Sequence, residues 1–488
     1  MARSESELIN VLRTKDKLTE KGMVTNSTSL DACVDMFFMA GASRHWSKEK
    51  KQNLFQKAFV ENPLIAMKLL FWTRDVRRGA GERDFFRVCS DFLFENYNNI
   101  LIKNLKLIPE YGRWDDLSRL LTDTSCNNES DIGILNYIKD VLYGDLNKIG
   151  LLAKWSKRKG YEFNKIRNFL KLSPKAYRKL IVGLSNTIEQ KMCDKKFGEI
   201  DYKTVPSVAM NKYRTSFYRN DENRFKMYID DVKSGKSKIN SKAIYPHMLY
   251  HALTKSGRAD MNTFKIIEND AIEAQWKSLP NYMEGSKHRI LPIVDVSPSM
   301  TWLNGLPIEV AISLGIYISE RNESVFKDAF MTFSDNPTIE FLKGSFAERA
   351  YQLRCAKWGR TTNIERSFEL LLDKSVEYNI EEKYMPTVLL IISDMQFDRC
   401  KINDTAVNMI REKYKRAGYT LPQIIFWNVR AEIDNVPVED NEHGVGLVSG
   451  FNTGILKNIL NVDIKRKPTP LETMLSVVNS DRYDLVSV

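Results

Sequence analysis

The sequence predicts two regions of different class: an all-α helical-repeat (HEAT-like) region over residues 1–285 and a doubly wound α/β domain over residues 286–488. Three observations predict this. Apolar residues recur at helical spacing through the first 285 residues. From about residue 286, short runs rich in Ile, Val, Leu and Phe alternate with amphipathic segments, as expected of parallel strands buried on both faces and joined by helices. A chain of 488 residues also exceeds the roughly 100–200 residues of one ordinary domain.

In the first region the helical spacing is clearest in SLDACVDMFFMAG (29–41), LFQKAFVENPLIAMKLLFWTRDVR (54–77) and RDFFRVCSDFLFENY (83–97). Breakers divide these runs: the Gly79–Glu82 turn, the Pro109/Gly112 pair and the Asn/Ser-rich stretch at 123–131. Ser173-Pro174 reads as an N-cap followed by proline in the first turn. Successive helices with short connections suit a solenoid of repeats of about 40–47 residues, although no repeat signature is visible. In the second region RILPIVDVS (289–297), DAFMTFS (328–334), TVLLIISD (387–394) and QIIFWNV (423–429) read as parallel strands. The helices between them are expected at 306–322, 363–378 and 404–418, and the boundary lies in the polar stretch NYMEGSKH (281–288).

Composition excludes several classes. With 43% hydrophobic and 28% charged residues the chain is neither disordered throughout nor a coiled-coil rod. No apolar run approaches the roughly 18–20 residues that span a bilayer, and the N-terminus lacks the apolar core of a signal peptide. Six scattered cysteines (Cys33, Cys89, Cys126, Cys193, Cys355, Cys400) form no CxxC pair and read as free thiols of a reducing compartment. The expected location is intracellular and cytoplasmic.

The formal charge of +11 is not spread evenly. Residues 151–250 carry 23 Lys and Arg against 9 Asp and Glu, whereas the remainder is slightly acidic. Clustered positive charge attracts polyanions, and neutralisation of phosphates by Lys and Arg is the main sequence-independent term in nucleic-acid affinity. The candidate RNA-binding residues are Lys154, Lys157, Arg158, Lys159, Lys165, Arg167, Lys171, Lys175, Arg178, Lys179, Lys212, Arg214, Arg219, Arg224, Lys236 and Lys238. Aromatic rings are interleaved with them, most read as core and a few as stacking surfaces for unpaired bases. A solvated helical face is the other reading. Arg74, Asp75, Arg77, Arg78, Glu82, Arg83 and Asp84 crowd around a Gly-Ala-Gly turn that could present backbone N–H groups and arginines to phosphate, but their alternating signs favour a salt-bridged corner between helices. Trp114-Asp115-Asp116 reads as an N-cap beside a buried aromatic. His247 and His251, four residues apart on a helix, have the spacing to bind a metal, but without a carboxylate neighbour they read as structural.

The most specific motif lies at the strand ends. The first strand of the α/β domain runs into Asp295-Val-Ser297-Pro-Ser299, a later loop carries Thr361 and Thr362 before a helix, and TVLLIISD ends in Asp394. Alternation turns Asp295, Ser297 and Ser299 the same way. Two carboxylates with several hydroxyls suit Mg²⁺ or Mn²⁺ that keeps some waters and one open position. Asp295, Ser297, Ser299, Thr362 and Asp394 are the candidate ligands, Thr362 being preferred to Thr361 because it directly precedes the polar residue that opens the helix. N-caps and turn-formers without a metal are the alternative. No histidine accompanies the motif as a general base and no GxxxxGK[ST] loop is present, so catalysis is not expected.

This spacing resembles the metal-ion-dependent adhesion site of von Willebrand factor A domains. A basic helical array followed by such a domain is similar to the Ro, or TROVE, architecture of RNA-binding proteins. The stretches FWTRDVRRGAGERDFFR (71–87), YGRWDDL (111–117), LSPKAYRKL (172–180), YKTVPSVAM (202–210), GKSKIN (235–240) and SDMQFD (393–398) resemble more closely a sister family of unknown function with the same layout. The resemblance implies helical repeats closed into a ring by the A domain, small structured RNA on a basic outer surface and single-stranded RNA ends in the hole. It equally implies that a partner's carboxylate can complete the metal's coordination. Three functions follow as expectations: a non-catalytic RNA-binding scaffold, a metal-dependent protein-interaction module without RNA, and, third, a nuclease using Asp295 and Asp394.

Overall fold

The computed structural model describes residues 17–124, 128–144, 146–185, 187–254, 266, 268–356, 361–398, 406–432, 435–460 and 466–488. A small antiparallel ribbon, β1 (Lys17–Leu18) with β2 (Val24–Thr25), precedes the helices. There follow α1 (Ala32–Met39), α2 (Lys48–Glu61), α3 (Pro63–Arg74), α4 (Arg83–Asn96), α5 (Asn98–Lys103), α6 (Ile108–Tyr111) and α7 (Trp114–Ser118). Next come α8 (Glu129–Gly144), α9 (Leu146–Trp155), α10 (Tyr161–Phe169), α11 (Pro174–Ser185) and α12 (Ile188–Cys193). The helical region ends with α13 (Ser207–Asn220), α14 (Glu222–Lys233), α15 (Pro246–Leu253) and α16 (Asp270–Lys277).

The run predicted over 54–77 is two helices. Asn62 accepts from the Ile65 amide as N-cap of α3 and Pro63 takes its first position, so the proline ends α2 and starts α3 in one step. Ser173 caps α11 through the Ala176 amide. At Trp114 the capping runs the other way from expectation: Asp116, at the third helical position, accepts from the Arg113 amide at 3.0 Å, and the Trp114 ring is buried.

The second region contains β3 (Ile290–Val294), α17 (Trp302–Glu320), β4 (Ala329–Thr332), β5 (Ile339–Phe341), α18 (Phe346–Cys355), α19 (Ile364–Glu377) and β6 (Val388–Ser393). It continues with α20 (Ala406–Arg416), β7 (Gln423–Asn428), β8 (Val445–Ser449), α21 (Ile455–Ile459) and α22 (Pro470–Val478). The sheet order is β5-β4-β3-β6-β7-β8. All pairings are parallel except β4 with β5, so the sheet is mixed rather than wholly parallel. Every residue of β3, β4, β6, β7 and β8 is buried. The segment Pro298–Glu320 is apolar and long enough to cross a membrane by composition, contrary to the sequence reading. It is the core helix of this sheet, and a β-carbon on its Gly315 would lie 2.6 Å from the Val294 side chain.

The two regions share one hydrophobic core, running from Met23 through Ile181 and Ile244–Met283 into the sheet and on to Val486, while residues 200–274 add a smaller cluster around Tyr202, Phe217 and Phe225. Both ends of the helical region sit on the sheet domain. At one end α1 meets β7 and β8, where Asn428 donates to the Phe38 carbonyl and Ser449 to that of Phe37. At the other, α15 packs along α17. The C-terminal residues return to the first helices: Arg482 forms a two-bond pair with the buried Asp75, at 2.6 and 2.9 Å, and Tyr483 stacks on Tyr111.

The Gly79–Glu82 turn is the salt-bridged corner that its charge pattern predicts. Arg74 and Arg87 share Asp116, Arg44 pairs with Glu82 and Lys51 with Asp84. Gly81 has φ +72°, and a β-carbon there would fall 2.0 Å from the Tyr245 hydroxyl, so glycine is required on both counts.

Candidate metal centre

The order of the sheet decides where a site forms. From the central strand β3 the chain moves outward to β4, whereas β6, β7 and β8 extend the sheet the other way. The carboxyl ends of β3 and β6 therefore flank a topological switch point, where helices leave on opposite faces and open a crevice. Asp295 and Asp394 are the residues that directly follow these two strands.

Asp295 is fully buried. Its amide continues the ladder to the Ile392 carbonyl at 3.0 Å. One carboxylate oxygen accepts from the Ser297 amide at 2.8 Å and the other from the Ser393 hydroxyl at 2.6 Å. The Ser297 and Ser299 hydroxyls lie 3.0 Å apart. Asp394, also fully buried, accepts from the Gln396 amide at 3.2 Å and has the Arg430 guanidinium at 3.4 Å. Burial, with the charge of Asp295 added, pushes its carboxyl up to about 6 against the opposing pull of the Ser299 hydroxyl and Arg430. Thus four of the five proposed ligands come together: two buried carboxylates and the hydroxyls of Ser297 and Ser299.

The fifth, Thr362, is buried on the same rim. Its amide donates to Asp398, whose own carboxyl is raised by burial and feels the charges of Asp335 and Asp295. The Thr361 hydroxyl is occupied by the Asp335 amide at 3.0 Å, and the Thr362 hydroxyl accepts from the Lys21 ammonium at 2.6 Å. Lys21 comes from the β1–β2 ribbon, which is laid against this rim: Thr19 donates to the Phe397 carbonyl, Gln396 accepts from the Glu20 amide, and Gly22 bridges Asp398.

Sequence reading missed Lys21, Ser393, Asp398 and Arg430. Ser393 and Asp398 stand in SDMQFD, and Arg430 follows the end of β7. Nothing local to Lys21 announces its place. The donor set fits a hard divalent ion: burial and the neighbouring charge of Asp295 oppose ionisation of Asp394, and an ion between the two carboxylates offsets that cost.

Among the described residues one further acidic cluster, Asp31, Cys33 and Glu61, has metal-like spacing, but its groups have structural work. Asp31 caps α1 through the Val34 amide, Glu61 accepts from the Ala32 amide, and burial pushes the Cys33 thiol far up. His251 does have a carboxylate neighbour, against the sequence reading: Glu309 lies 2.9 Å away.

The candidate RNA-binding residues fall into two groups. Lys157, Arg158, Lys159, Lys171, Lys175, Arg178 and Lys179 are exposed, and none forms an ion pair among the described residues. The Arg178 guanidinium reaches the Arg158 carbonyl at 3.2 Å, and both Arg167 and Arg178 lie over Phe163. Lys212, Arg219, Lys236 and Lys238 are exposed elsewhere on the same region. By contrast Lys165 is half-buried against Asp131 at 2.6 Å, Lys154 pairs with Glu189, and Arg224 with Asp221 while also donating to the Ile200 carbonyl. Arg214 is half-buried and donates to Asn211 and the Ala252 carbonyl. These four have internal roles that composition does not reveal. Of the interleaved rings, Phe163, Tyr177, Phe217 and Phe225 are core and Tyr161 is exposed.

Comparison with known proteins adds family but no activity. A family model described as domain of unknown function DUF7788 matches residues 289–481, and one described as domain of unknown function DUF2828 matches residues 19–140 and 152–286. An uncharacterized protein, L728 of Acanthamoeba polyphaga mimivirus, is 28% identical, the match covering 96% of this chain and 90% of that one. Since its model matches more than half of the 488 residues, the chain belongs to the DUF2828 family.

Proposed function

We propose that the protein is a non-catalytic RNA-binding scaffold, a Ro-like ribonucleoprotein component. Its second region is then a von Willebrand factor A domain with a Mg²⁺ or Mn²⁺ adhesion site formed by Asp295, Ser297, Ser299, Thr362 and Asp394. The observation that carries the RNA reading is the cationic face of α9–α11. Seven exposed Lys and Arg side chains stand there without a carboxylate partner among the described residues, so their charge is available to phosphates. That both ends of the helical region rest on the sheet domain supports the ring-like layout of Ro proteins. Small structured RNA with a free single-stranded end is the proposed ligand.

The test is titration of such an RNA with the full chain at several salt concentrations. Lys175→Glu, Arg178→Glu and Lys179→Glu combined should weaken binding at every RNA sequence and reduce the salt slope by about three. No affinity at low salt, or an affinity indifferent to these reversals, overturns the reading.

A second reading, a protein partner at the metal, draws on one observation. Trp302 is 64% exposed beside the site, with the Arg430 guanidinium 5.4 Å above its ring, and Trp and Arg are enriched among interface hot spots. A partner protein lost with EDTA and with Asp295→Ala, at unchanged RNA recovery, would establish it.

A further inference from the structure

A cleft of about 730 Å³ opens between α13, α15 and the start of α17, within the roughly 300–1,000 Å³ of small-molecule sites. One wall is the turn Leu303-Asn304-Gly305, whose three residues all have left-handed backbone, φ 56°, 59° and 76°. For leucine that conformation costs free energy and persists only where the surroundings impose it. The other walls carry Val208, Asn211, Lys212 and Arg214 from α13 and His247, Met248 and His251 from α15.

Two polar groups here are incompletely matched among the described residues. Arg214 makes its hydrogen bonds to the Asn211 carbonyl, the Asn211 side chain and the Ala252 carbonyl, all neutral acceptors. No carboxylate among the described residues pairs with it, and burial alone lowers its pKa. His247 is 6% exposed and its Nδ1 has no hydrogen-bond partner among the described residues. A half-buried cation whose acceptors are all neutral and a buried ring nitrogen unpartnered among the described residues both carry a cost. The one carboxylate on the wall, Glu309, is engaged by His251. Arg214 and Lys212 both line the cleft, and the guanidinium fork matches phosphate oxygens, which suits a dianion. Leu303, Leu306, Met248 and Val208 offer apolar surface, and Asn304 adds a carboxamide to the lining.

We propose that this cleft binds a small phosphate monoester with a planar, partly apolar body, the chemistry of a nucleoside monophosphate, with its phosphate on Arg214 and Lys212 and its body against Leu303, Leu306 and Met248. Lys212 and Arg214 stand among the sequence's candidate RNA-binding residues, but the site uses none of the metal ligands and none of the seven exposed cations of α9–α11 on which the RNA test is read, so the two outcomes are distinguishable.

The test is calorimetric titration of the full chain with the four ribonucleoside monophosphates, the parent nucleosides and inorganic phosphate. Saturable one-to-one binding of at least one monophosphate is expected, with its nucleoside and phosphate alone each binding at least about tenfold more weakly. Arg214→Gln should weaken binding by roughly ten- to a hundredfold, the loss of one charge-assisted contact. Val208→Trp fills the mouth from an exposed position (44%) without disturbing a buried group and should abolish binding. Lys226→Gln, on an exposed cation of α14, should change nothing. No saturable binding of any monophosphate at millimolar concentration overturns the proposal, as does binding that survives both Arg214→Gln and Val208→Trp, or a nucleoside that binds as tightly as its monophosphate.

Discussion

The Lys21 ammonium donates to the Thr362 hydroxyl at 2.6 Å, across 341 residues of sequence. A cation thereby meets one of the five oxygen donors proposed for a divalent ion, delivered by a ribbon that is itself bonded to Gln396, Phe397 and Asp398. Two cations cannot share one donor set without mutual repulsion. Lys21→Met should therefore tighten Mn²⁺ binding by about tenfold, equivalent to roughly 1.4 kcal/mol of repulsion removed. Isothermal titration or the Mn²⁺ paramagnetic resonance signal measures it. Equal affinity in both proteins would show that the ribbon leaves the ion undisturbed, whereas no binding by either, with Asp295→Ala as the reference, would dispose of the metal reading itself.

Stability should fall in mild acid because of His247. Burial first, then the charges of Arg44 and His251, depress its pKa from 6.5 to about 3. The folded protein thus binds fewer protons here than the unfolded chain. Stability from this group is complete above pH 6.5 and is lost as pH falls toward 3, at up to about 1.4 kcal/mol per pH unit. Between pH 6.5 and 5 the expected loss is about 2 kcal/mol. His247→Phe keeps an aromatic ring against Phe451 and should remove that part of the acid sensitivity in urea unfolding curves. An unchanged pH profile would assign the sensitivity to other groups.

The corner around Asp116 should separate buried from exposed ion pairs. Asp116 is 0% and Arg74 3% exposed in their side chains. Burial pushes the Asp116 carboxyl up, but Arg74 and Arg87 outweigh it and hold it below the usual range. Asp116→Ala leaves Arg74 buried without a counter-charge and should cost about 3–5 kcal/mol. The neighbouring pair Arg77–Glu110 is about half exposed on both sides, and Arg77→Ala should cost under roughly 1 kcal/mol. Comparable losses in the two variants would contradict this ordering.

How much of this was legible in the sequence depended on how local each cause is. β3, β6 and β7 declare themselves because strands covered on both faces are apolar at every position, and from their parallel pairing the approach of Asp295 to Asp394 follows. β5 is three residues long, Ile-Glu-Phe, at the sheet edge with half-exposed side chains, so neither alternation nor an apolar run marks it. The charge pattern of Arg74 to Asp84 shows that the corner is salt-bridged but not that Asp116 holds it. Lys154, Lys165, Arg214 and Arg224 look like their exposed neighbours in sequence. Only the approach of Glu189, Asp131, Asn211 and Asp221 separates them. Lys21 lies beyond any sequence signal, since its partner is fixed by the return of β6 to the edge of a ribbon at the other end of the chain.

The chain's last residues should act as a clasp on its first helices. Asp75, fully buried at the end of α3, receives Arg482 at 2.6 and 2.9 Å and the Tyr483 hydroxyl at 3.2 Å. Tyr111 stacks on Tyr483 and bonds the Arg482 carbonyl, so residues 482 and 483 close a contact between the two regions that no covalent neighbour enforces. Arg482→Ala strands a buried carboxylate, at a cost of about 3 kcal/mol. Asp75→Asn together with Arg482→Ala removes both charges and should recover part of that loss, because the penalty comes from the unmatched charge rather than from the missing contact. Chemical denaturation of the two single variants and the double variant measures the coupling. Additive losses would mean that Asp75 is stabilised by the Tyr483 hydroxyl and the Arg77 amide alone, and that the tail does not clasp the helical region through this pair.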